Sequence, residues 1–79
     1  MIVIYSKDGC PFCEKFVALV EYEELKHVVY KLHRDFTKDQ FYDKFGSGST
    51  FPQIVLDDIH LGGCKDSIKY LQQNNICCT

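Results

Sequence analysis

Cys10-Pro11-Phe12-Cys13 places two thiols three positions apart, with a proline between them, near the start of a 79-residue chain. That spacing suits three chemistries: a structural disulfide, half of a zinc site, or a redox pair cycling between dithiol and disulfide. Zinc needs a second ligand pair at metal-like spacing. The other candidates here are the adjacent Cys77-Cys78 and three single histidines, His27, His33 and His60, none of them in such a pattern. Five cysteines cannot all pair within one chain. In a reducing compartment, clustered cysteines are more often catalytic or metal-binding than structural. The opening run MIVIY is too short for a signal-peptide core or a membrane span, and it lacks a basic leader. The expectation is therefore a cytoplasmic protein, in which the structural disulfide is the weakest of the three readings. Pro11 favours redox use over zinc, because it stiffens the turn and starts a helix.

The elements that must position the pair show in the hydrophobic periodicity. Met1–Tyr5 is an unbroken apolar, β-branched run closed by Ser-Lys-Asp-Gly, which predicts a buried strand and a loop. From Pro11 the period changes: Phe12, Phe16, Leu19, Val20 and Leu25 recur at helical spacing, with Glu14, Lys15, Glu21 and Glu24 mostly elsewhere. HVVYKL, residues 27–32, predicts a second strand. TKDQFYDKFGSGS predicts a helix capped by Thr37 and stopped by glycines, with Phe41, Tyr42 and Phe45 on one side. PQIVLDD and IHLGG predict two strands joined by a turn at Asp57-Asp58, and KDSIKYLQQNN a last helix carrying Ile68 and Leu71. Tyr5, Phe16, Phe41, Phe45 and Leu71 are the expected core.

The predicted order is thus β-α-β-α-β-β-α, an α/β fold in one domain over residues 1–79. The first βαβ unit requires a parallel pair with a right-handed crossover. The last two strands are too closely connected for that and must form an antiparallel hairpin. Nine Lys and Arg against eleven Asp and Glu, for a net charge of −2, offer no electrostatic footprint for nucleic acid.

On this framework Cys10 falls at the loop–helix junction and Cys13 in the first turn, on a shared helix face. A thiolate at Cys10 can accept hydrogen bonds from the N–H groups of Phe12 and Cys13 at the positive end of the helix dipole. Its pKa is expected below that of a free thiol, helped by Lys7 nearby. Cys13 sits deeper along the helix and is expected to keep a more ordinary pKa. Cys10 would then attack a disulfide, and Cys13 would resolve the mixed disulfide.

A second constellation lies in TFPQIVLDDIHLGGCKD, residues 50–66. With CPFC after a strand, T-x-P at the third strand and GGCKD opening the last helix, the sequence resembles the glutaredoxin family in its small dithiol form. The resemblance runs over nearly the whole chain, in the family's element order. It implies a thioredoxin-like fold, a four-stranded mixed sheet with three flanking helices. It also implies a thiol-disulfide oxidoreductase, with no bound cofactor and glutathione as co-substrate. The resemblance further implies a cis bond at Phe51-Pro52, where the residues alone leave an ordinary strand-start proline equally open. The peptide groups of Phe51 could then pair with a short peptide by β-addition.

Gly62-Gly63 allow a tight turn, and the N–H groups of Cys64, Lys65 and Asp66 open a helix suited to a carboxylate. Asp66 can hold an ammonium group or simply serve as a cap. Glutathione fits this layout: its γ-glutamyl end at Cys64, Lys65 and Asp66, its cysteine beside Thr50, Phe51 and Pro52. Its glycine carboxylate would meet Lys7 and the second helix, where Gln40 is the candidate with Lys44 behind it. Phe12 stands where the family often has Tyr, losing a hydroxyl but keeping an apolar wall. Lys65 replaces a more usual Ser, Thr or Asp. Cys64 reads as a buried small residue or a secondary oxidation site. Cys77 and Cys78 lie outside the family pattern and read as exposed tail cysteines.

The implied partners are glutathione and disulfide-containing proteins, with a ribonucleotide reductase as one client, and the expected state is a monomer without nucleic acid or membrane association. Two other readings remain: a small electron donor reduced by thioredoxin reductase, and a carrier in which Cys10 and glutathione hold an iron–sulfur cluster between subunits. GGCKD and Lys7 argue against the first, Pro11 and Cys13 against the second.

Overall fold

β1 (Ile2–Ser6) buries Ile2, Ile4 and Ser6 on one face and turns Val3 and Tyr5 to the other, the two-residue alternation of a pleated strand. A computed structural model describes residues 1–77 and follows β1 with α1 (Pro11–Tyr22), β2 (His27–Lys31), α2 (Lys38–Phe45), β3 (Gln53–Leu56), β4 (Ile59–Gly62) and α3 (Cys64–Gln73). The sheet order is β2-β1-β3-β4. β1 runs parallel to β2, with Ile4 opposite Val29, and antiparallel to β3, with Ile4 opposite Ile54. β3 and β4 form the expected antiparallel hairpin. Its turn at Asp57 and Asp58 holds both residues at positive φ, which Asp tolerates better than most side chains. No described helix is long and apolar enough to cross a membrane.

Two cores flank the sheet. On one face Ile2, Ile4 and Ile54 meet Phe16 and Val20 of α1 and Leu71 of α3. On the other, Tyr5 makes edge contacts with Tyr30, Phe36 and Phe45, and Phe41 of α2 stacks on Phe36 and Phe51. Of the expected core residues, Phe16, Phe41 and Leu71 are fully covered, while Tyr5 and Phe45 are half-buried at the edge of the aromatic layer. Phe36, a loop residue no periodicity singles out, joins that layer.

Helix ends account for the boundary differences. α1 stops at Tyr22 rather than running to Leu25. Glu24 takes a left-handed φ of 55°, its N–H donates to the Glu21 carbonyl, and the Leu25 N–H donates to the Val20 carbonyl. This is a Schellman stop, which places Leu25 against the last turn as the apolar residue that closes it. α3 ends the same way at Asn75, with the Ile76 N–H on the Leu71 carbonyl. That turn folds the chain back and corrects one expectation: Cys77 is not an exposed tail residue but is 6% exposed within the core. Cys78 lies outside the described residues.

Candidate active site

Cys10 is the N-cap of α1, with extended backbone, and Pro11 takes the first helical position. The preceding Gly9 has φ +69°, a left-handed conformation that lets the loop turn sharply into the helix. Cys10 and Cys13 are disulfide-bonded, their Cα atoms 5.2 Å apart. The Cys13 N–H donates to Cys10 Sγ at 3.2 Å. Of the two amide donors expected at this sulfur, that is the one seen. In the bonded state the two residues are almost equally covered, at 5% and 3% exposure. Phe12, between them, projects outward at 62% exposure.

The Phe51–Pro52 bond is cis, and Pro52 is among the most deeply buried residues. The loop before it is tied to the sheet by Gln53, which no sequence motif marks, and by His60, which the sequence offers only as a lone histidine. Gln53, itself buried, donates from Nε2 to the Thr50 carbonyl at 2.8 Å, and its Oε1 lies 2.7 Å from His60 Nε2. Because a carbonyl can only accept, the nitrogen of Gln53 must face Thr50 and its oxygen must face His60. His60 Nε2 therefore carries a proton. The available signal was the hairpin register, which brings His60 opposite Val55 and so close to Gln53.

At the other side of the pair, Gly62 has φ +103°. A Cβ there would lie 3.2 Å from Asp66 Oδ2, so only glycine admits both the turn and the carboxylate beside it. The N-cap Gly63 has no side chain, and α3 has no side-chain cap, which leaves first-turn N–H groups for an acceptor from outside the chain. Phe12, Thr50, Phe51, Pro52, Gly63, Cys64, Lys65 and Asp66 together line one pocket of about 210 Å³. Cys64 is a buried residue at its floor. Burial pushes its thiol pKa up, against a smaller opposing pull from the Lys15 ammonium.

Lys7 stands beside this pocket, its ammonium 5.2 Å from the centroid of the Phe51 ring, a cation–π distance. Gln40 is not brought to the pocket. Its side chain accepts from the Thr37 N–H at 2.8 Å while the Gln40 N–H donates to Thr37 Oγ1. This is a reciprocal capping box, written in the sequence as T-K-D-Q. Gln40 and Lys44 line a different cavity, with Tyr5, Tyr30, Asp35 and Phe36. There Lys44 lies over the Tyr5 and Phe45 rings, burial raises the pKa of Tyr5, and the Arg34 guanidinium lowers that of Asp35. Among the described residues, no three of His, Cys, Asp and Glu converge as a metal site would require.

The assembled site has a vicinal-face disulfide at a helix N-terminus, peptide groups ahead of a cis-proline, and a second open helix N-terminus across the pocket. Thiol–disulfide exchange is the chemistry it can perform, since an incoming thiolate can be aligned beside the pair and its charged ends held.

Comparison with known proteins agrees. The glutaredoxin family model matches residues 2–61. Glutaredoxin 1 of Rickettsia prowazekii is 41% identical over 70 residues, spanning 82% of this chain and 70% of that protein. Glutaredoxin 3 of Escherichia coli K12 is 31% identical over 65 residues, spanning 82% and 78%. The crystal structure of glutaredoxin 1 from Francisella tularensis, complexed with cacodylate, superposes with a TM-score of 0.77 at 26% identity, covering 95% of this chain and 94% of that one.

Proposed function

Since the chain belongs to the glutaredoxin family and is a thiol-disulfide oxidoreductase, we propose that glutathione drives its cycle and that it reduces protein disulfides and glutathione mixed disulfides. The observation that carries this reading is the pocket beside the disulfide, with the uncapped α3 N-terminus on one wall and Thr50, Phe51 and Pro52 on the other. The γ-glutamyl carboxylate accepts from the first-turn N–H groups at Cys64, Lys65 and Asp66, and Asp66 meets its ammonium group. The cysteine of glutathione pairs with the Phe51 backbone. Lys7 takes the glycine carboxylate without help from Gln40, which lines a different cavity. Phe12 forms the apolar wall. A cytoplasmic monomer with a ribonucleotide reductase among its clients belongs to the same reading, on the family resemblance alone.

Electrons move in pairs through sulfur. The Cys10 thiolate attacks a client disulfide, forming a mixed disulfide and releasing one client thiolate, which takes a proton. Cys13, deprotonated, attacks Cys10 Sγ. The client leaves as a dithiol and the Cys10–Cys13 disulfide forms, the state described above. One glutathione thiolate then attacks Cys10 Sγ and expels Cys13. A second attacks the glutathione sulfur of that mixed disulfide, giving oxidised glutathione and the Cys10 thiolate. A glutathione mixed disulfide needs only Cys10: its thiolate takes the glutathionyl group, and a second glutathione removes it.

The test is reduction of a small glutathione mixed disulfide, coupled to NADPH through glutathione reductase. Wild type is expected to turn over, Cys13→Ser to retain activity, and Cys10→Ser to have none. Silence of the wild type here, with turnover restored by thioredoxin reductase, would overturn the glutathione site and leave the fold intact.

A further inference from the structure

A second groove adjoins the ligand pocket, along the seam between α1 and α3. Phe12, Lys15, Cys64, Lys65, Ile68 and Lys69 line it, and it encloses about 500 Å³. It shares Phe12, Cys64 and Lys65 with the smaller pocket, so anything seated in it borders that pocket and the Phe12 that separates the two cysteines. Phe12 and Lys15 lie one turn apart on α1, and Lys65, Ile68 and Lys69 share a face of α3. The result is an apolar strip of Phe12 and Ile68 between three ammonium groups. Among the described residues no carboxylate lines the groove and none of these lysines is in an ion pair. In a chain of net charge −2, this is a locally positive surface bordering the ligand pocket.

We propose that this groove docks the segment of a client protein that flanks its reacting disulfide, and that the segment carries carboxylates around one apolar side chain. The inference rests on the glutathione-driven reading above and adds the class of client. Lys65 to Gln72, at the far end of the groove, span about 10 Å of helix, which about three extended residues match. The acidic side chains therefore fall roughly two to five residues from the client cysteine. Exposed ion pairs of this kind add little static stability, but they steer encounter and select partners. The overall negative charge argues against a nucleic-acid occupant.

The experiment compares three disulfide peptides that share one leucine and carry Glu, Gln or Lys at the flanking positions. Each is reduced by the full chain with glutathione and glutathione reductase, with rates normalised to the uncatalysed reaction with glutathione. A small glutathione mixed disulfide is the reference substrate. The expected kcat/KM is about tenfold higher for the Glu than for the Gln peptide at low salt and lowest for the Lys peptide, the contrast collapsing at high salt as screening shortens. A Lys15→Gln, Lys69→Gln double variant should cut the contrast to the part that Lys65 carries, while turning over the small mixed disulfide as before. Equal rates for the three peptides, with the small substrate still turned over, overturn the docking proposal alone. So does a contrast undiminished in the double variant, or a groove that instead binds a short single-stranded oligonucleotide. If the small mixed disulfide is not turned over either, both readings fall.

Discussion

Phe41→Leu tests whether the aromatic layer under the site positions the Phe51 peptide groups or merely fills space. Phe41 is 1% exposed. Its ring lies 4.1 Å from that of Phe51 at an interplanar angle of 9°, 5.7 Å from Phe36 and 5.1 Å from Phe45. Leucine keeps most of the buried volume but removes four ring pairs, the fourth an edge contact with Tyr42 at 5.9 Å, each contributing about 0.5–1.5 kcal/mol beyond area burial. Because leucine recovers part of the contact, a loss of about 2 kcal/mol is expected. For a domain of this size, each kcal/mol shifts Tm by about 4–8 °C, so Tm of the oxidised protein should fall by about 8–16 °C, read by circular dichroism. The Phe51 backbone also loses its lateral support. If substrate alignment through one peptide hydrogen bond weakens by about 1 kcal/mol, kcat/KM for a glutathione mixed disulfide drops about fivefold. A fall in Tm with unchanged kcat/KM would refute the positioning argument, and an unchanged Tm would refute the packing argument as well.

Three further outcomes are expected. Gly62→Ala must place a side chain at φ +103° and 3.2 Å from Asp66 Oδ2; it should cost about 1–3 kcal/mol in urea unfolding and raise KM for glutathione. Gln40→Ala removes one hydrogen bond of the capping box and should lower stability by about 0.5–1.5 kcal/mol, yet leave KM for glutathione unchanged, since Gln40 does not line that pocket; a several-fold rise in KM would return it to the site. Burial raises the Cys64 pKa, so the stability this group contributes is fully present below its unfolded pKa and is lost as pH climbs through the folded one. The urea midpoint should decline across that alkaline window, the decline should be smaller in Cys64→Ala, and equal slopes for the two proteins would refute it.

What the sequence alone determined is local in origin. The change of period from 2 to 3.6, Pro11 at a helix start, Thr37 as an N-cap and Asp57-Asp58 as a turn are set by residues within one or two turns of each other, so they were legible without coordinates. The Cys10-x-x-Cys13 chemistry was legible for the same reason, because one helix N-terminus carries both sulfurs. T-K-D-Q is a local signal as well, a capping box that engages the Gln40 side-chain oxygen. Tertiary structure decided the remainder. Phe36, Phe41 and Phe51 come from a loop, a helix and a turn, and no periodicity links them until the second face of the sheet gathers them. Cys77 enters the core only because the turn after α3 folds back on Leu71. Gln53 joins Thr50 to His60 only once β3 and β4 pair. Short-range sterics and hydrogen bonding choose the elements, whereas contacts between distant residues depend on where the folded backbone delivers each side chain.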